Sequence, residues 1–111
     1  ALHVKRLVVS TGVAGREPVG ASDLFRTSET ERLYAFVEIE NPSRHAGDIR
    51  VTFEPPDGRA PRGNVELAVG ETTRWRTWAY TTGAHQVGSW TAVVKDRSGR
   101  TLARKPFEIA L

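Results

Sequence analysis

The sequence has no cysteine and no methionine. Without cysteine there is no disulfide, no thiolate metal site and no cysteine nucleophile, and the redox state of the compartment leaves no trace. Long apolar runs are missing too, since none approaches the ~18 residues that a membrane-spanning helix needs. No long segment carries the i, i+3, i+4, i+7 spacing of an amphipathic helix. No secretory signal is present, so the expectation is a domain excised from a longer protein whose address or anchor lies elsewhere. The histidines His3, His45 and His85 lie far apart and make no metal-ligand spacing, and His45 and His85, in loops, are expected at the surface. Ser10, Ser43 and Ser98 lack a G-x-S-x-G context. The stretch PPDGRAPRG has turn residues but no following helix, so it is no phosphate cradle. The expectation is therefore no catalytic residue, no metal and no cofactor.

The chain has 111 residues, which is one domain with enough length to bury a core. Its net charge of +3 is unevenly spread. Residues 1–56 carry 7 basic and 8 acidic side chains, and residues 57–111 carry 9 basic and 5 acidic. Arginine outnumbers lysine 13 to 3, which either a GC-rich genome or selection for carboxylate and phosphate contacts would produce. The balance is too modest to imply nucleic acid.

All three tryptophans fall between Thr73 and Trp90, in TRWRTWAYTTGAHQVGSW. Read as a strand, Arg74, Arg76, Trp78 and Tyr80 share one face, and Trp75, Thr77 and Ala79 share the other. Trp75 and Trp90 are the expected core anchors, because large aromatics dominate burial in a small all-β domain.

Six further strands are expected. In residues 2–11, Leu2 and Val4 share one face and Leu7 and Val9 the other, so a bulge near Arg6 or a change of sheet must intervene. Residues 12–31 have no periodicity, and Leu24 and Phe25 are expected to pin an otherwise mobile stretch, open to trypsin at Arg16 or Arg26. Residues 32–40 put Leu33, Ala35, Val37 and Ile39 on one face, with Tyr34, Phe36, Glu38 and Glu40 on the other. Residues 48–54 alternate with Ile49, Val51 and Phe53 inward. Residues 64–69 form a short strand. Residues 87–95 align Trp90, Ala92 and Val94, and the DRSG turn leads into 100–110, where Pro106 suits an edge or a bulge.

Seven short strands with turns between them predict a single-domain antiparallel β-sandwich, immunoglobulin-like or fibronectin-III-like, with a small β-barrel as the alternative. Strands 32–40 and 73–80 are expected to pair in one sheet, and 48–54, 87–95 and 100–110 in the other.

The segments RLYAFVEIEN, RWRTWA and GSWTAVVKDRSGRTLARKPFEI resemble an uncharacterised bacterial family, domain of unknown function 2914. The shared features are a WRT-type strand, a GxW strand, a D-x-x-G turn and a closing L…F strand, over roughly residues 25–110. The resemblance implies a domain attached to bacterial membrane or envelope proteins, hence an extracytoplasmic setting such as the periplasm. It supplies no catalytic residue.

Two functions from different classes remain. The first is a non-enzymatic interaction or spacer module, with Arg74, Arg76, Trp78 and Tyr80 as a surface for a protein or acidic glycan, since Arg, Trp and Tyr are enriched at hot spots. If that row is instead structural, each arginine finds a mate within the domain. Glu38, Glu40 and Glu66 are then expected, with strands 32–40 and 64–69 as the neighbours of 73–80. The second function is a small carbohydrate-acting hydrolase using Glu38, Glu40 or Glu54. Two strand rises put Glu38 and Glu40 about 6.5–7 Å apart, which the spacing of inverting enzymes tolerates. A concave pocket at Glu38 or Glu54 would favour the enzyme, and a flat surface the module.

Overall fold

Alternating apolar residues become the long strands of the fold. The computed structural model describes residues 2–29, 31–43, 45–58, 62–82 and 84–111, with the side chains at 29 and 62–64 excepted. The strands are β1 (His3–Ser10), β2 (Gly12–Ala14), β3 (Glu17–Val19), β4 (Leu24–Arg26), β5 (Leu33–Glu40), β6 (Gly47–Glu54), β7 (Arg62–Val69), β8 (Arg74–Thr81), β9 (Gly88–Asp96) and β10 (Thr101–Ala110). One sheet has the order β1-β5-β8, the second β4-β10-β9-β6-β7, and β2 and β3 form a separate hairpin. The domain is an immunoglobulin-like β-sandwich, with β5 and β8 in one sheet and β6, β9 and β10 in the other, as expected, and neither sheet closed into a barrel.

The inward residues interleave between the sheets. Leu33, Ala35, Val37 and Ile39 of β5 face Ile49, Val51 and Phe53 of β6 and Trp90, Ala92 and Val94 of β9, all buried in one cluster. Trp90 is 1% exposed, stacks on Phe107 at 6.4 Å and donates its Nε1–H to the Gln86 carbonyl at 2.7 Å. Burying an indole and bonding its only donor makes Trp90 an anchor.

Trp75 departs from that role. It faces inward but lies at the rim, only partly buried against the cluster, and its Nε1 is buried with no partner among the described residues. Its ring lies over Gly70, where a β-carbon would come within 2.6 Å of the ring. Gly70 leads the crossing from β7 to β8, and a side chain there would displace the indole.

Residues 12–29 form three short strands, β2, β3 and β4, and a 3-10 turn instead of a bare loop. Gly15 and Arg16 both have positive φ, 57° and 60°, which joins β2 to β3 through a two-residue turn of the kind that follows strand twist. Leu24 and Phe25 pin the stretch as expected, because β4 pairs in parallel with the end of β10; the Phe25 side chain is buried, while that of Leu24 is half exposed. Pro106 lies in β10 ahead of the residues that pair with β4, so its missing N–H interrupts no ladder on that side. Strand 64–69 is also corrected: it belongs to β7, which pairs with β6 in the other sheet and not with β8. The PPDG turn makes β6 and β7 a hairpin, and adjacent strands joined this way usually pair.

Candidate functional site

The outer face of the three-stranded sheet collects the chemistry. Register sets Arg74 opposite Glu40, Arg76 opposite Glu38, Trp78 opposite Phe36, and Tyr80 opposite Tyr34. On the other side of β5, Arg6 stands opposite Glu38 and Val8 opposite Phe36. The ladder shifts between Val4 and Arg6, so the bulge turns two consecutive residues, Lys5 and Arg6, toward this face. Lys5 reaches Glu40 at 3.5 Å. Cross-strand rows of opposite charge and of paired rings stabilise a sheet face.

The β2–β3 hairpin lies over part of this face, with β2 against β5 and β3 against β1. It delivers Glu17. One oxygen of that carboxylate, Oε2, sits 3.0 Å from Arg6 Nη2 and 3.0 Å from Arg76 Nη1. Glu38, only 13% exposed, approaches the same two arginines from the sheet at 3.1 and 3.4 Å. Two guanidiniums and two carboxylates thus close an alternating ring. Arg76 also donates to the Arg16 carbonyl at 3.5 Å. The hydrogen bond from Arg6, with the charges of Arg6 and Arg76 behind it, holds the Glu17 carboxyl below its ordinary range. The bond to Glu17 likewise raises Arg6.

Aromatic rings continue the face. Phe36 points outward yet is fully buried, with Trp78 stacked on it at 6.3 Å and the Arg6 guanidinium 4.9 Å from its centroid. Tyr34 and Tyr80 meet at 5.5 Å, and Arg32 lies 4.8 Å over Tyr80. A hydrogen bond to Tyr34, then the tyrosine charges, raise Arg32 above its usual value.

The structure therefore divides the expected row. Arg76 is paired within the domain, through Glu17 and Glu38, and Trp78 is half covered by Phe36. Arg74 is exposed and, among the described residues, has no ion pair, while Tyr80 is 47% exposed. Glu66 pairs with Arg50, not with β8. Arg6 and Glu17 escaped the sequence reading, because neither alternation nor a local motif links positions 6, 17 and 76.

The carboxylates of the hydrolase reading lie apart. Glu38 and Glu40 are engaged on the outer face just described. Glu54 lies on the other side of the sandwich, at the wall of a depression of about 560 Å³ lined also by Asp48, Arg50, Glu66, Lys95 and Asp96. There Glu54 pairs with Arg104 at 3.5 Å. Asp96 accepts from the Ser98 hydroxyl and from the Ser98 and Arg100 amides, which lowers its carboxyl and suits it to bracing the turn. His3, His45 and His85 are exposed, and no metal-binding cluster occurs among the described residues. Residues 59–61 of PPDGRAPRG lie outside the described residues.

No helix is long and apolar enough to cross a membrane among the described residues. Solved structures share the fold. An immunoglobulin-like protein from Pseudomonas aeruginosa is 12% identical, with a TM-score of 0.58 over 99% of this chain and 97% of that one. An alkylpurine DNA glycosylase from Pseudomonas fluorescens, bound to DNA containing an abasic site analog, is 14% identical, with a TM-score of 0.59 over 99% of this chain. A β-D-glucoside glucohydrolase from Trichoderma reesei is 19% identical, with a TM-score of 0.62 over the same share. The chain spans only 30% of the glycosylase and 19% of the glucohydrolase. No curated protein sequence matches. The family resemblance is borne out in the second half of the chain, where residues 57–109 match the family described as protein of unknown function (DUF2914).

Proposed function

We propose that the domain is a non-enzymatic interaction module of an envelope-associated, extracytoplasmic bacterial protein, and that the outer face of its three-stranded sheet binds an acidic protein partner. The observation that carries this reading is Arg74. It is exposed, it has no ion pair among the described residues, and its row continues through half-covered Trp78 to exposed Tyr80. The carboxylate opposite it, Glu40, is taken by Lys5. An unpaired guanidinium beside aromatic surface suits a carboxylate-bearing partner. The envelope setting rests on the family resemblance. The second reading is a carbohydrate-acting hydrolase, favoured by the depression beside Glu54. It is weaker because Glu54 and Glu66 are each paired with an arginine, and Glu38 and Glu40 lie on the other sheet.

The test is fluorescence anisotropy with a labelled oligoglutamate peptide. The reading expects salt-sensitive binding that weakens roughly tenfold in Arg74→Ala, the loss that ~1.4 kcal/mol brings. Unchanged affinity in Arg74→Ala would refute it.

A further inference from the structure

We infer that Arg6 and Arg76 form a carboxylate-binding site which the β2–β3 hairpin fills in cis through Glu17, and that an acidic side chain of the protein partner takes Glu17's place on docking. The inference rests on the reading that this face binds an acidic protein, and it adds where the carboxylate goes and what must move.

Two guanidiniums converge on a single oxygen of Glu17, each at 3.0 Å. Glu38 sets their spacing from below, and Glu38 belongs to β5 at the centre of its sheet. The site's walls are therefore fixed by the sandwich, while its occupant comes from outside. Once Glu17 leaves, two positive charges share one carboxylate, and the surplus charge attracts another anion.

The occupant is loosely held. Strands β2 and β3 have three residues each and pair only with one another. A two-stranded hairpin is marginal by itself. Its ion pairs lie at side chains 36–48% exposed, where such pairs contribute little in water. Arg74 and Tyr80 stay open beside it, so a partner can engage them first. The carboxylate seen in the site hangs from an extended polypeptide, which favours an acidic peptide segment over a glycan.

A cis occupant lowers apparent affinity by the fraction of molecules in which the site is open. Glu17→Gln removes the competing charge, so labelled oligoglutamate should bind it several-fold, about fivefold, more tightly than the parent. Adding Arg6→Gln to that variant should cancel the gain. In the parent, saturating peptide should speed amide exchange across residues 12–19 as the hairpin is displaced. Equal or weaker binding by Glu17→Gln, or a hairpin whose exchange is unchanged by peptide, would overturn the inference. If Arg74→Ala loses binding while Glu17→Gln gains none, the face binds but Glu17 is no surrogate. If neither the parent nor Glu17→Gln binds oligoglutamate, both readings fail. Binding of oligogalacturonate in its place would overturn the assignment to a protein.

Discussion

Trp90 and Trp75 carry the same side chain and hold different parts of the fold. Trp90 is enclosed by both sheets and its N–H is bonded to the Gln86 carbonyl. Trp75 lies over Gly70 at the rim with its donor unpaired among the described residues. Trp90→Ala should cost ~3–5 kcal/mol, the usual result of emptying a large core site. Trp90→Phe should cost about 1 kcal/mol more than Trp75→Phe, because only the first breaks a hydrogen bond. Urea melts of the three variants measure both differences, and a Trp90→Ala midpoint equal to the parent's would contradict the assignment. Alternation shows which way each indole points but not how deep it lies, since depth depends on the crossing at Gly70. Asn41 shows the same limit. It directly follows β5, and in the fold it is fully buried and donates to the carbonyls of His45 and Gly70.

Strands of eight or more residues were legible as elements, because each spans enough alternations to mark an inner and an outer face. The bulge in β1 was legible as well, from the switch between Val4 and Leu7. The β2–β3 hairpin was not, since three-residue strands carry no period and Arg16 occupies a left-handed conformation that glycine usually takes. The hairpin changes the expectation for cleavage. Arg26 lies in β4, and its guanidinium donates to the Leu111 carbonyl at 3.0 Å. Arg16 lies exposed at the hairpin turn. Trypsin should therefore cut first after Arg16, and a first cut after Arg26 would contradict the arrangement. The hairpin should also respond to acid. Docking lowers the Glu17 pKa, so its contribution is complete above the ordinary glutamate value, about 4.3, and is lost as pH falls through the lowered value. Amide exchange over residues 12–19, corrected for its intrinsic pH dependence, should show steady protection from about pH 8 to 5 and a loss below about 4, with β5 still protected. Protection that persists at low pH would mean that apolar contacts, not Glu17, hold the hairpin.

At the scale of the molecule, the two sheets present different outer surfaces. The five-stranded sheet carries a shallow depression of mixed charge beside Glu54, and the three-stranded sheet carries the arginine and aromatic rows under a small hairpin. The sandwich was legible because burial alone decides it. The site was legible only along β8, where Arg74, Arg76, Trp78 and Tyr80 share a face, since the remainder needs tertiary closure among Arg6, Glu17 and Glu38. The central claim is that recognition uses the three-stranded face. The direct measurement is an amide chemical-shift titration with oligoglutamate. The account predicts shifts concentrated at Arg74–Tyr80, Arg6 and residues 12–19, with residues 48–54 and 95–99 unmoved. Shifts confined to the depression around Glu54 and Asp96 would contradict it.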